Sequence, residues 1–318
     1  MIDKLISQRI GLGTWAYGGE LWSHGWGPQA IELSLETIHE SLQNGVRIID
    51  TAAIYGLGKS EKIIGKALRD WKGPRPYIMT KCGQSLDAHG KFVTDLKEHS
   101  IRNGCHDSLK RLGIEKIDLM FLHYPSSCSE ENLKAVSVLD KLKSEGKVLN
   151  IGLSNFPLKE IKNIRKNFEI HAVQNHYSLL NRQVEMNLLP YCAKTKLDFY
   201  AYQPLESGLL TGRFHRENSL KLPSSDWRNR SKEFMQNNID HLSPLNLGLK
   251  TVALKYNTLI AVISLAWVLS NTSVSAALVG MRNTKQVDEI LLANAIKLTA
   301  GDKIIIDNSL LDTAYPRY

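Results

Sequence analysis

Two rhythms of apolar residues alternate along this chain. Short, β-rich and mostly apolar runs recur at RIGLGTW (9–15), VRIID (46–50), PYIMTK (76–81), IDLMFLH (117–123), VLNIGLS (148–154), IHAVQN (170–175), LDFYAYQ (197–203) and SAALVG (275–280). Between them, apolar residues fall three and four apart, the spacing of a one-sided helical stripe. In IELSLETIHESLQNG the stripe is Ile31, Leu35, Ile38 and Leu42, and Gly45 supplies the stop. LKRLG and KLKSEG close two later helices in the same way. The pattern predicts helices over 28–44, 60–70, 97–112, 130–146, 157–167, 182–195 and 284–294, with further ones at 244–256, 258–270 and 301–313.

Eight strands alternating with helices over about 300 residues is the period of a (β/α)8 TIM barrel, expected here as a single domain spanning residues 1–318. The strands read as near-continuous apolar runs, as they do when both faces are covered. The interval 204–243, after strand seven, is too long for an ordinary connection and reads as a functional loop. C-terminal helices then complete the chain. The run LIAVISLAWVL (259–269) is too short to span a bilayer and predicts a buried helix. GLGTWA (11–16) matches a dinucleotide fingerprint, but the following YGGELWSHGWGP cannot open the helix that such a site requires. A Rossmann site is therefore rejected.

Composition narrows the function classes. The formal charge of +8 arises from scattered Lys and Arg without a basic stripe, which argues against nucleic-acid binding. Cys82, Cys105, Cys128 and Cys192 are widely spaced, which argues against a disulfide framework or a metal site. The N-terminal MIDKLISQRIG has no signal-peptide pattern. The expectation is a cytoplasmic protein with no membrane partner, a monomer or small homo-oligomer.

Polar residues gather where the apolar runs end. Strand two ends in Asp50, with Tyr55 in its loop, strand three in Lys81 and strand four in His123. Strand five ends in Ser154 and Asn155, strand six in Gln174 and Asn175, and strand seven in Tyr202 and Gln203. Strand eight runs into Gly280, Met281 and Arg282. In a barrel these ends meet on the catalytic face. Singly, Asp50 reads as a loop cap, Lys81 as a snorkelling side chain and His123 as a core histidine. Jointly those readings require coincidence at one mouth. The set suits protonation of a carbonyl oxygen. A phenol with a pKa of about 10 is a poor acid near neutrality. An ammonium within ~4 Å contributes about 4 kcal/mol at a dielectric near 20, or at most ~3 pKa units before desolvation is subtracted. Asp50 would hold that ammonium and His123 would orient the carbonyl. None of these groups supplies electrons, so a hydride-donating cofactor is required.

The motifs IDTAAIYGLGKSEKIIGKAL, YIMTKCG, IDLMFLHYP, NIGLSNF, VQNHYSLLNR, AYQPLESGLLTGRF and LVGMRNTKQVDEI, in this order, resemble the aldo-keto reductase superfamily over nearly the full length, in its bacterial type. The resemblance implies a nicotinamide cofactor bound extended on a (β/α)8 barrel. It implies a tetrad of Asp50, Tyr55, Lys81 and His123, with Tyr55 as general acid. Ser154, Asn155 and Gln174 would hold the carboxamide, and Tyr202 would stack on its ring. Thr14, Trp15 and Asp50 are assigned to the same binding cleft. Gln203, Pro204 and the stretch Leu205, Ser207, Gly208 and Leu210 would pass over the pyrophosphate. Gly280, Met281, Arg282, Thr284, Gln286 and Glu289 would surround the adenosine. Arg282 suits a 2′-phosphate, which favours NADPH (NADP+) over NADH. Three departures bear on cofactor choice: Gln203 where a serine is common, Ile290 where an asparagine is common, and Gly280 where some branches carry a lysine. The stretch Asp226 to Arg228 resembles a closing segment, against a plain reading as an exposed linker.

The expected substrate is a small carbonyl compound, with Trp22, Trp26 and Tyr124 beside Tyr55 and His123 as candidate lining residues. The competing reading is a nicotinamide-binding regulatory subunit of the potassium-channel β-subunit type. Strand one starts about nine residues in, which leaves no N-terminal segment to reach a channel.

Overall fold

A computed structural model describes residues 8–20, 22–215, 221–313 and 315. The barrel strands are β1 (Ile10–Gly13), β2 (Ile48–Asp50) and β3 (Tyr77–Cys82), followed after a hairpin by β6 (Ile117–Leu122), β7 (Val148–Ser154), β8 (Ala172–His176), β9 (Asp198–Tyr202) and β10 (Ala276–Gly280). The hairpin itself is β4 (Gln84–Leu86) and β5 (Phe92–Thr94). The eight parallel strands close in the order β1-β10-β9-β8-β7-β6-β3-β2, with Ile10 opposite Ala277 and Gly13 opposite Gly280 at the seam. All eight predicted strands are present. The (β/α)8 barrel is the fold.

The helices are α1 (Ile31–Gln43), α2 (Lys59–Asp70), α3 (Glu98–Leu112), α4 (Ser129–Ser144), α5 (Leu158–Ile164), α6 (Leu188–Thr195), α7 (Gln236–Asp240), α8 (Ser243–Lys255), α9 (Ile260–Leu269), α10 (Thr284–Leu291) and α11 (Ala300–Leu311). Several differ from expectation by a few residues, two of them for identifiable reasons. Helix α1 starts three residues later than residue 28 because Arg282 binds the Pro28 carbonyl and the Gln29 side chain, holding them outside it. The expected helix over 182–195 breaks into a 3₁₀ turn at Gln183–Met186 and then α6. Pro190 has no N–H for a continuous helix to bond back with, so the break precedes it. The run from Ala261 to Leu269 in α9 is wholly buried, as its composition predicts. Among the described residues, no single helix is long and apolar enough to cross a membrane.

Two apolar layers position the site. The larger lies between the strands and the helices. The smaller fills the barrel and consists of Ile48, Met79, Leu119, Phe121, Ala172, Tyr200, Ala276 and Leu278. Side chains alternate along a strand, so the residue two positions on points the same way. From Ile48 that residue is Asp50, from Met79 it is Lys81, from Phe121 His123, from Ala172 Gln174 and from Tyr200 Tyr202. The polar strand-end residues thus form the next storey of one interior stack.

Candidate active site

Above the apolar layer opens a cavity of about 1170 Å³, lined by Asp50, Tyr55, His123, Ser154, Asn155, Gln174 and Tyr202 on the barrel floor. Lys81 lies beneath, 2 % exposed. Its Nζ donates to Asp50 Oδ1 and Oδ2 at 2.9 and 2.8 Å and to the Thr51 carbonyl at 3.0 Å. A fourth, longer contact of 3.4 Å reaches the Tyr55 hydroxyl. Gln174 Nε2 donates to Asp50 Oδ1 at 2.8 Å, so the carboxylate is held from two sides. Burial pushes the Asp50 carboxyl up, while the Lys81 ammonium and the Gln174 amide pull it back. The bidentate geometry is that of a charged pair.

The phenol departs from expectation. Burial pushes the Tyr55 hydroxyl well above the usual range, and the Asp50 carboxylate and Tyr124 add to the rise. The ammonium does not produce a net fall, because burial of the hydroxyl outweighs it and the carboxylate behind it offsets part of its field. Tyr55 therefore keeps its proton throughout the ordinary pH range. Burial, and then the Lys81 charge, drive the His123 imidazole well below its usual value, so it is neutral. Its ring centroid lies 6.1 Å from that of Tyr55. His123 Nδ1 is buried without a partner among the described residues.

The cavity continues past a short, strained turn. Glu206, Ser207 and Gly208 adopt φ of 48°, 52° and 108° in succession. Each non-glycine residue so held costs about 1–3 kcal/mol, and such strain clusters at ligand clamps. A Cβ on Gly208 would also come within 3.2 Å of Phe214. Beyond the turn, Arg213, Lys221, Arg228, Arg282 and Lys285 line the wall. Amides at one end, a tyrosine ring beside them, a turn exposing backbone and a basic far end fit a nicotinamide dinucleotide. The volume leaves space for a small substrate beside it.

Two loops are clasped over this space. Trp26 and Asp226 form a β-bridge, Trp227 N donates to the Gly25 carbonyl at 2.9 Å, and Arg230 Nη2 donates to the Ser23 carbonyl at 2.6 Å. Asp226 is fully buried and paired with Arg228 at 2.7 Å, and that guanidinium also covers the Trp26 ring, 4.5 Å from its centroid. The exposed-linker reading of Asp226 to Arg228 is thereby overturned.

A sequence model of the aldo/keto reductase family matches residues 9–310. The chain belongs to that family. It is 30% identical to the aldo-keto reductase YhdN of Bacillus subtilis, over 98% of this chain and 94% of the relative. It is 33% identical to an NADH-specific methylglyoxal reductase of Escherichia coli, over 94% and 93%. Among solved structures, the glycerol dehydrogenase AKR11B4 from Gluconobacter oxydans superposes with a TM-score of 0.85 at 30% identity, covering 98% of this chain and 93% of that one. The protein is an NAD(P)H-dependent oxidoreductase.

Against this aldo-keto reductase frame, the sequence-derived residues sort as follows. Asp50, Tyr55, Lys81 and His123 come together. Thr14, Trp15, Ser154, Asn155, Gln174, Tyr202, Gln203, Pro204, Leu205, Ser207, Gly208, Gly280, Arg282, Gln286 and Glu289 line the same cavity, as do Trp22, Trp26 and Tyr124. Leu210, Met281 and Thr284 do not. Leu210 is buried in the outer core, and Met281, one residue past the inward-facing Gly280, turns to the other side. Thr284 opens α10 away from the lining. Arg282 lines the cavity, but its Nε, Nη1 and Nη2 donate to Gln29 Oε1, the Trp26 carbonyl and the Pro28 carbonyl, which leaves two of its N–H groups for a phosphate. The reading from sequence missed Lys285 and the hairpin, whose Gln84, Phe92 and Thr94 line the cavity. A signal for the hairpin exists: Asp87 accepts from the backbone of His89 and Lys91, and Gly90 turns at φ 73°. D-A-H-G between two short alternating runs encodes that turn.

Proposed function

We propose that the protein reduces a small aldehyde or ketone with NADPH, and that Tyr55 delivers the proton. A bound reduced nicotinamide supplies the hydride. The chain's own groups then manage the charge on the carbonyl oxygen. Tyr55, protonated by virtue of its burial, donates its proton as negative charge develops there, since an alkoxide is a far stronger base than a phenolate. Neutral His123 offers a hydrogen bond to the same oxygen. Lys81, anchored by Asp50, stabilises the phenolate left behind. Ser154, Asn155 and Gln174 are read as the carboxamide clamp, Tyr202 as the ring platform and Ser207–Gly208 as the pyrophosphate turn. Trp22, Trp26 and Tyr124 wall the substrate.

The observation that carries this reading is the Lys81 ammonium, locked bidentately on Asp50 and 3.4 Å from the Tyr55 hydroxyl at the cavity floor. The basic far wall favours NADPH, with Arg282 sharing the 2′-phosphate with Lys285, although the Escherichia coli relative bears an NADH-specific name. The names of that relative and of the glycerol dehydrogenase favour a three-carbon oxygenated substrate. A cytoplasmic monomer or small homo-oligomer fits the composition. The test is Tyr55→Phe. Removing a positioned general acid is expected to slow reduction of a model aldehyde by about 10²–10⁴-fold, with cofactor affinity by fluorescence titration unchanged. Undiminished reduction would refute the assignment. Wild-type titrations with NADPH and NADH in parallel test the cofactor preference.

A further inference from the structure

His176 and Glu206 lie outside the cavity lining, yet they touch two parts of it at once. His176 ends β8 directly opposite Tyr202, which ends β9. Their rings stack with centroids 5.4 Å apart and planes 18° from parallel. The imidazole is fixed at both nitrogens. Asn181 Nδ2 donates to Nδ1 at 2.9 Å, so Nε2 carries the proton and donates to Glu206 Oε1 at 2.6 Å. The Ser178 hydroxyl donates to that same carboxylate oxygen. Glu206 is itself the first residue of the left-handed run that continues through Ser207 and Gly208. On its other side, the Tyr202 hydroxyl donates to Asn155 Oδ1 at 2.7 Å, and Asn155 Nδ2 donates to the His123 carbonyl at 3.0 Å.

A plain reading gives this pair the task of satisfying two half-buried polar groups. It does not account for what each partner holds. The imidazole face backs the Tyr202 ring, and the carboxylate belongs to the backbone of the turn. One hydrogen bond therefore ties the ring platform to the turn beside it.

We propose that His176 and Glu206 are positioning residues that brace Tyr202 against the 206–208 turn, fixing the spacing between the two halves of the cofactor site before the cofactor arrives. The inference rests on the reading that Tyr202 and Ser207–Gly208 face the cofactor. Its physical content is preorganisation: a platform and a turn held in register need no ordering on binding. Without the brace, Tyr202 loses its backing and the strained turn loses its side-chain anchor.

The test is fluorescence titration of the full chain with NADPH, on His176→Ala, Glu206→Met, Tyr202→Ala and the His176→Ala/Tyr202→Ala double variant. Far-UV circular dichroism melts accompany each titration. His176→Ala and Glu206→Met are each expected to raise the cofactor Kd by about tenfold, with kcat at saturating cofactor changed far less. Glu206→Met, which keeps the stem and removes the acceptor, keeps the test usable if His176→Ala folds poorly. The double variant is expected to lose less affinity than the two single losses added together, because His176 acts partly through that ring and partly through Glu206. A merely structural histidine would instead add its cost to that of Tyr202→Ala, which would overturn the proposal. So would a Kd within twofold of wild type in both brace variants while Tyr202→Ala binds poorly. An unchanged Kd in Tyr202→Ala would overturn the underlying platform reading, and the brace with it.

Discussion

Replacing Lys81 by Met tests the electrostatics of the site most directly, because methionine keeps most of the stem and deletes only the charge. Two effects are expected, of different origin. The first is on the chemical step. An ammonium 3.4 Å from the Tyr55 oxygen attracts a phenolate by about 5 kcal/mol at an effective dielectric near 20. The Asp50 oxygens stand 2.8–2.9 Å from the nitrogen, hence at most about 6 Å from the phenol, and cancel roughly half of that. The residue is about 2 kcal/mol, or roughly a 30-fold slower proton transfer. The second effect is on stability. Asp50 is 4 % exposed and would keep only the Gln174 amide. An orphaned buried charge costs about 3–5 kcal/mol. Protonation relieves that cost, and its sign can be worked out. The variant's folded carboxyl lies above its unfolded value near 3.9, so the folded state binds more protons and stability falls as pH rises from there. The assays are single-turnover reduction followed by loss of reduced-nicotinamide absorbance, and denaturant melts between pH 5 and 9. Asp50→Asn added to Lys81→Met should remove the pH dependence of the melts. A single-turnover rate within twofold of wild type, together with a pH-independent melt, would refute the charge-pair account.

Three further outcomes follow from other parts of the molecule. His123 is held well below its usual pKa, so on acidification the unfolded chain takes up a proton that the folded site refuses. Stability should therefore fall below about pH 6.5 by up to ~1.4 kcal/mol per pH unit from this group, and His123→Asn should flatten that part of the melt profile. Gly208→Ala places a Cβ at φ 108° and 3.2 Å from Phe214; a loss of about 1–3 kcal/mol in denaturant melts and weaker cofactor binding by titration are expected. Arg228→Ala leaves the fully buried Asp226 carboxylate unpaired. It should cost about 3–5 kcal/mol and speed proteolysis within 213–234, and Arg228→Lys should rescue little because the pairing is a planar fork.

Much of this architecture is legible in the chain because each strand announces itself as a covered apolar run. Asp50, Lys81 and His123 stood out because ionisable residues interrupt such runs only at their ends. What eluded the sequence shows where local signals fail. The hairpin at 84–94 is short and only half-buried, so its alternation is faint. How far Tyr55 holds its proton was not legible, because the depth of its burial, the main cause of the rise, and the Asp50 carboxylate beside it are set by the tertiary fold. Leu210, Met281 and Thr284 were assigned to the cofactor by the family resemblance, and their side chains lie off the cavity lining. Arg282 was read as suited to a 2′-phosphate, and its ties some 250 residues back to the first loop were not legible in the sequence.

The clasp between residues 19–29 and 221–234 bears on attempts to change what the enzyme accepts. Contacts cross from one segment to the other: Arg228 covers the Trp26 ring, Asp226 bridges to Trp26, and Trp227 donates to the first loop's backbone. Transplanting one of them from a homologous reductase would strip Arg228 of the Trp26 ring, Trp227 of the Gly25 carbonyl and Arg230 of the Ser23 carbonyl. Loop grafts into this scaffold should therefore be exchanged as a matched couple.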